Sequence, residues 1–261
     1  MEVFMKKILA ILLVALLALS LIACAQNDED NNELDAYVPP VTTFKIATGT
    51  LSFEEGAAES AVISGYTGIA KAHKVKIPEK INDREVSGIG QQAFYYCTAL
   101  TSIELPSTVT FIDDYAFAGC TSLETIVIPA SVTRIGKLAF QGCTALKSVV
   151  FLGTDVEVID DFAFNDCTSL ETIVLPEGLK SIGNQAFGDC QKITALTMPS
   201  TLQSIGDLAF LGCKGLNSKG ALKLSASITD IADFAFAGIS KDCISAPDGS
   251  YAQEFISKMA D

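Results

Sequence analysis

Apolar residues return along this chain on a fixed step. Ala-Phe dipeptides end at Phe94, Phe117, Phe140, Phe164, Phe187, Phe210 and Phe236, at steps of 23, 23, 24, 23, 23 and 26 residues. A cysteine follows three residues after each of the first six, at Cys97, Cys120, Cys143, Cys167, Cys190 and Cys213. Such a register marks a repeat architecture. One unit reads Cys120-Thr-Ser-Leu123-Glu-Thr-Ile126-Val-Ile128-Pro129, then Val132-Thr-Arg-Ile135-Gly, then Ala139-Phe140. Ile126 and Ile128 alternate with Val127, as on a short strand with one buried face. Proline, which has no N–H, ends that strand. Val132 to Ile135 form a second extended piece, a tight turn or short helix carries Ala139-Phe140 inward, and Gly142-Cys143 closes the coil. A coil this short cannot bury its own apolar residues, whereas stacked coils bury all of them in one continuous core. The pattern predicts a mainly β repeat solenoid, with coils of 23 residues stacked into one elongated domain.

This phrase, with its recurring IxIP, SIG, AF and GC elements, resembles the BspA-type leucine-rich repeat, found on bacterial and protist surface proteins. The resemblance covers roughly residues 75–236. Ser64-Gly-Tyr66-Thr-Gly68 with Val75-Lys-Ile77-Pro78 is similar to the family's irregular first unit, and Pro247-Asp-Gly-Ser250-Tyr251 before a short polar helix is similar to its usual close. An irregular N-terminal cap is expected over 41–78, repeats over about 75–236 and a C-terminal cap over 237–261. Two departures stand out. Cys243 lies seven residues after Phe236, and three extra residues between Leu216 and Leu222 are expected to distort the last coil.

The chain opens differently. Lys6 and Lys7 precede an apolar run from Ile8 to Ala23, broken only by Ser20, which is the pattern of an export signal over residues 1–23. Met5 before the lysines would itself make a natural start. The run is shorter than the roughly 20 residues a helix needs to span a bilayer. It ends in Leu21-Ile22-Ala23-Cys24, which resembles the bacterial lipobox; that resemblance implies a lipid-modified Cys24 as the mature N-terminus and a membrane-tethered protein facing the outside of the cell. Residues 24–40, rich in Asp and Glu and ending in Pro39-Pro40, read as an acidic flexible tether. Asp28, Asp30 and Asn32 imitate a calcium loop, but Glu33 and Pro39 stand where glycine and glutamate are needed.

Charge and composition narrow the chemistry. With 18 basic against 31 acidic side chains in 261 residues, a net −13, no surface is expected to neutralise nucleic-acid phosphates. The six cysteines occupy equivalent coil positions with parallel side chains, which suits a disulfide poorly; they are expected to form a column of buried reduced thiols. No CxxC pair points to a metal, and no cofactor loop occurs. His73, the sole histidine, falls on the irregular first coil beside Lys71 and Lys74. Asp113-Asp114 and Asp160-Asp161 raise the possibility of a glycosidase pair, but they open the turn before Ala-Phe, where short carboxylates cap N–H groups. An enzyme is not expected.

What remains is surface. The outward positions of the main strands read Lys76, Glu104, Val127, Val150, Val174, Thr197, Lys223, and the neighbouring column reads Lys74, Ser102, Thr125, Ser148, Thr172, Ala195, Ala221. If these strands form one sheet, three valines meet at its centre. An apolar centre with a polar surround is the composition of an interaction face; strand preference for valine explains it equally well. The candidate face is Ser102, Glu104, Thr125, Val127, Ser148, Val150, Thr172, Val174 and Thr197. The expected function is a monomeric, membrane-anchored, extracellular module that binds a protein or other macromolecule, as the family resemblance implies for adhesion. The alternatives are a self-associating structural surface component and, less well supported, a surface glycan hydrolase.

Overall fold

The computed structural model describes residues 42–68 and 74–259. The export signal, Cys24, the tether and His73 lie outside the described residues. Strands β1 (Thr42–Ile46), β2 (Gly49–Glu55) and β3 (Ala61–Gly68) form an antiparallel meander, followed by β4 (Lys74–Lys76), β5 (Lys80–Ile81) and β6 (Arg84–Ile89). Two kinds of strand then alternate. The IxIP phrases give β7 (Ser102–Glu104), β9 (Thr125–Ile128), β11 (Ser148–Phe151), β13 (Thr172–Ile173), β15 (Leu196–Thr197) and β17 (Leu222–Lys223). The SIG phrases give β8 (Phe111–Ile112), β10 (Arg134–Ile135), β12 (Val158–Ile159), β14 (Ser181–Ile182), β16 (Ser204–Ile205) and β18 (Asp230–Ile231). The chain closes with β19 (Ile244–Ser245) and one helix, α1 (Tyr251–Lys258). The result is a mainly β solenoid of stacked coils.

Each kind of strand pairs in parallel with its counterpart in the next coil. The SIG strands continue the meander into one eleven-stranded sheet through β3 and β6. The main strands do not form a single sheet. They divide into a five-stranded sheet, β13-β11-β9-β7-β4, and a three-stranded one, β15-β17-β19, because no ladder joins β13 to β15 among the described residues.

The turn side carries a third ladder. Gln92, Phe94 and Tyr96 donate their N–H groups to the carbonyls of Asp114, Ala116 and Ala118 in the next coil, at 2.8–3.1 Å, and the pattern repeats from coil to coil, always from the earlier to the later. Intervening N–H groups turn back within the coil, as Cys97 does to Phe94 O. That alternation requires left-handed backbone on either side of each phenylalanine from Phe94 to Phe210, for example at Tyr115 (φ 59°) and Gly119 (φ 74°). The segment is therefore a chain of turns with left-handed residues, and the only α-helix among the described residues is α1.

The interior is a set of columns. Rings of Phe94, Phe117, Phe140, Phe164, Phe187 and Phe210 are fully buried and stack nearly parallel, with centroids 5.1–5.6 Å apart, inside the range where offset stacking is favourable. Tyr66 of β3 covers the first ring at 5.4 Å and Phe255 of α1 meets Phe236 edge-on at 6.1 Å, so the caps finish the same column. Truncating one such buried ring to alanine costs about 3–5 kcal/mol. The SIG glycines permit close approach: a Cβ on Gly136 would lie 2.7 Å from the backbone of Asp113, and on Gly183 2.6 Å from that of Asp160.

The last coil is less distorted than expected. A 3-10 turn over Lys214–Leu216 leads into the extra residues, which make a further turn closed by Ala221 N–H to Ser218 O at 3.0 Å; Asn217 bonds to the next coil through Gly238 O and Ser240 N, and Phe236 still stacks on Phe210 at 5.9 Å. Ile239, not Cys243, fills the cysteine position, its N–H bonding to Phe236 O.

The thiols are free, buried and hydrogen-bonded. Sγ of Cys120, Cys143, Cys167, Cys190 and Cys213 each donates to the carbonyl of the phenylalanine in the preceding coil, at 3.0–3.3 Å. Burial pushes Cys143 and Cys213 up to about 12 from an ordinary 9.0, and raises Cys167 and Cys190 as well. Above the ordinary value the unfolded chain releases thiol protons that the folded chain keeps. Their contribution is thus complete below pH 9 and is lost as pH rises through about 12. Urea midpoints should fall over that interval, and the Cys143→Ala/Cys213→Ala variant should show a shallower fall; an identical slope would contradict the buried thiols.

Candidate functional site: the outward strand face

The alternation that buries Ile103, Ile126, Val149 and Ile173 turns the intervening side chains outward. Parallel register places Ser102, Thr125, Ser148 and Thr172 in one row, and Val127 beside Val150 in the next. Val127 and Val150 are 43% and 46% exposed, and Val174 is 83% exposed. The sequence-predicted face is therefore contiguous from Ser102 to Val174. Thr197 is exposed but lies on the other main-strand sheet, beside Lys223, beyond the break after β13. Ala221, read as outward, is buried.

Sequence reasoning missed one member. Leu152, 65% exposed, stands next to Val150 at the place that Pro106, Pro129, Pro176 and Pro199 hold in other coils. With an N–H in that place the ladder runs one bond further, from Leu152 to Ile128 O at 3.0 Å, and the extra residue of the 24-residue step is absorbed just beyond it. The signal was available: this is the one long step within the regular array, and it lacks its proline. Val150, Leu152, Thr154, Val174 and Pro176 line a shallow depression of about 460 Å³.

Charges around this centre are paired across coils. Lys76 meets Glu104 at 3.1 Å, Lys147 meets Glu124 at 3.0 Å and Lys192 meets Glu171 at 3.5 Å. Each pair is exposed and worth at most about 1 kcal/mol. Their effect is to leave the apolar centre with an electrically neutral border. The arrangement can shed water from a few side chains onto a partner.

The carboxylate pairs have structural work. Asp113 and Asp160 accept the N–H of the residue that follows each, and Asp114 and Asp161 accept the N–H of Lys137 and Asn184 in the next coil, at 2.8–2.9 Å. Arg134 binds Asp114 at 3.1 Å and Asp160 at 2.9 Å, with Asp113 at 3.5 Å, so one guanidinium ties three consecutive coils. Its hydrogen bond to Asp160 raises it above its ordinary value. A concavity of about 1040 Å³ lies between the cap loops and the first SIG strands. A hydrolytic pair needs one carboxyl kept protonated by burial. Here Glu54, Glu55, Glu59, Asp83 and Glu85 are exposed and Asp113 is ion-paired.

The family model described as the BspA type leucine rich repeat region matches in six copies, over residues 68–193 and 146–252. No curated protein matches the chain. Among solved structures, a leucine-rich repeat protein of T. pallidum is 30% identical with a TM-score of 0.63; the match covers 69% of this chain and 82% of that one. A leucine-rich cell surface protein of Faecalibacterium prausnitzii is 28% identical, with a TM-score of 0.64, covering 81% of this chain and 56% of that one. A leucine-rich repeat protein of Eubacterium ventriosum is 27% identical, with a TM-score of 0.60, covering 73% and 50%. The chain thus spans only about half of the last two.

Replacing Arg134 by serine, the residue at the same place in β14 and β16, should leave three carboxylates close together. We expect a loss of about 1 kcal/mol in denaturant unfolding, smaller at high salt because the groups are part-exposed; a loss independent of salt would contradict the ionic tie.

Proposed function

Because the chain belongs to the BspA-type leucine-rich repeat family, we propose that it is a cell-surface protein that binds another protein through its outward strand face, held to the membrane by a lipid on Cys24. The observation that carries this reading is the exposed apolar run Val127, Val150, Leu152 and Val174, continuous over three coils and bordered by neutralised ion pairs. Side chains of this size contribute about 1.5–3 kcal/mol each when fully removed from water. Burial of the run against a partner would contribute enough to matter, and a neutral border selects shape and apolarity over charge. The F. prausnitzii protein is described as a cell surface protein, which supports the same location here. The Leu21-Ile22-Ala23-Cys24 phrase supports the anchor, and adhesion is the use that fits an outward-facing tethered rod.

Two measurements test this. Partners captured by the wild-type chain should be lost, with affinity falling at least tenfold, when Val127, Val150 and Val174 become serine, while the melting temperature stays nearly the same. Retained affinity would reject the face, and oligomers growing with concentration would favour the self-associating component instead. Separately, Cys24→Ser should move the protein from the membrane fraction to the soluble one; unchanged membrane association would reject lipidation at that residue.

A further inference from the structure

A second outward column lies on the turn side, immediately before each Ala-Phe pair. Gln92, Tyr115, Leu138, Phe162, Gln185 and Leu208 all have left-handed backbone there, with φ between 48° and 59°. Side chains with a Cβ cost about 1–2 kcal/mol in that conformation, and asparagine, aspartate and glycine are the residues it favours. Four of the six are nevertheless large and apolar. Burial does not offset the strain, since they remain half-buried while the alanine and phenylalanine that follow are fully buried.

Backbone bonds hold this column in line. Tyr115 N–H donates to Lys137 O at 2.8 Å and Leu138 N–H to Asp161 O at 2.9 Å, so Tyr115, Leu138 and Phe162 stand one coil step apart. Tyrosines extend the ridge at one end. The Tyr96 ring lies over Gly119, where a Cβ would come within 3.0 Å of it, and Tyr95 meets Tyr96 edge-on at 4.5 Å and Tyr115 at 6.3 Å. Tyr96 is 45% exposed.

The ridge is bordered by acid. From the second coil onward the residue before each left-handed position is Asp114, Lys137, Asp161, Asn184 or Asp207, Asp233 follows at the same place in the next coil, and Asp166 and Asp189 occupy the far side. Lys137 is committed to Asp161 at 3.1 Å. Asp166, Asp189, Asp207 and Asp233 make no ion pair among the described residues. In contrast to the strand face, the border is strongly negative.

We infer that this turn-side ridge docks a cationic amphipathic peptide segment of a partner protein, with the segment's apolar side on Tyr115, Leu138 and Phe162 and its basic residues beside Asp166 and Asp189. Complementary charge fixes the class of occupant, because opposed like charges penalise a wrong partner. A second copy of this chain would bring its own acidic border and a net −13 to the contact.

The full chain is titrated with a synthetic Leu/Lys amphipathic peptide and with its Leu/Glu counterpart. The Leu/Lys peptide should bind and weaken as salt is raised, and the Leu/Glu peptide should not bind. The Tyr115→Gln/Leu138→Gln/Phe162→Gln variant introduces the residue the chain already carries at Gln92 and Gln185, so its melting curve should be preserved while Leu/Lys binding falls at least tenfold. Asp166→Asn with Asp189→Asn should weaken binding several-fold and flatten its salt dependence. The serine variant of Val127, Val150 and Val174 should bind the peptide as wild type does, which separates this ridge from the strand face. Absent binding, equal binding of both peptides, full binding by the glutamine variant, or a dimer that the glutamine substitutions dissociate would each overturn the inference.

Discussion

The distance between neighbouring coils is the constraint on which the rest depends. Parallel backbone ladders hold strands just under 5 Å apart, and the phenylalanine centroids lie at 5.1–5.9 Å, so rings tilted or offset slightly across the stack meet at the same repeat as the peptide bonds. Hydrogen bonding and aromatic contact are satisfied by one spacing. Everything placed between coils must then be small or flat. Alanine precedes each ring, glycine sits where Gly136 and Gly183 pass the backbone behind them, and a cysteine fits beneath each turn while its thiol occupies a carbonyl that would otherwise lack a second partner.

Interior positions are thereby determined almost completely, and variation is confined to side chains that point away from the stack. Two such surfaces differ in kind. Along the main strands, charges cancel in pairs between coils and leave valines and Leu152 in a neutral field. On the turn side, aspartates outnumber cations and surround a ridge of tyrosine, leucine and phenylalanine. A rod of identical coils can in this way carry separate recognition properties on separate flanks without altering its core.

The interior was legible because many coils report the same requirement: seven Ala-Phe pairs and six cysteines in register leave little freedom to a reader of the sequence. The outward valines were legible for the same reason, through their alternation with buried isoleucines. Other features depended on properties that residue identity does not display. Tyr115, Leu138 and Phe162 give no sign of left-handed backbone, which is imposed by the turn-side ladder. Arg134 differs from its counterparts by one letter, and its reach to Asp160 emerges only when coils are superposed in space. Coils on either side of the break between β13 and β15 carry nearly the same phrase, so the division of the main sheet, and with it the separation of Thr197 from the rest of the face, could not be read from them. The signal and tether precede the described residues, and their role rests on the lysines, the apolar run and the phrase ending at Cys24.

The one-way course of the turn-side ladder has an electrical consequence. In the strand ladders, donors face both neighbours and the amide dipoles largely cancel. In the turn-side ladder the backbone N–H groups that flank and include each stacked phenylalanine point toward carbonyls of the later coil, so their dipoles reinforce one another as they do along an α-helix. The solenoid is therefore a weakly polarised rod, negative at the end of the tyrosines and positive at the end beneath α1. Two rods meeting at like ends would oppose their poles, whereas rods lying nose to tail would not, and a lengthwise array of such molecules has a built-in sense of direction.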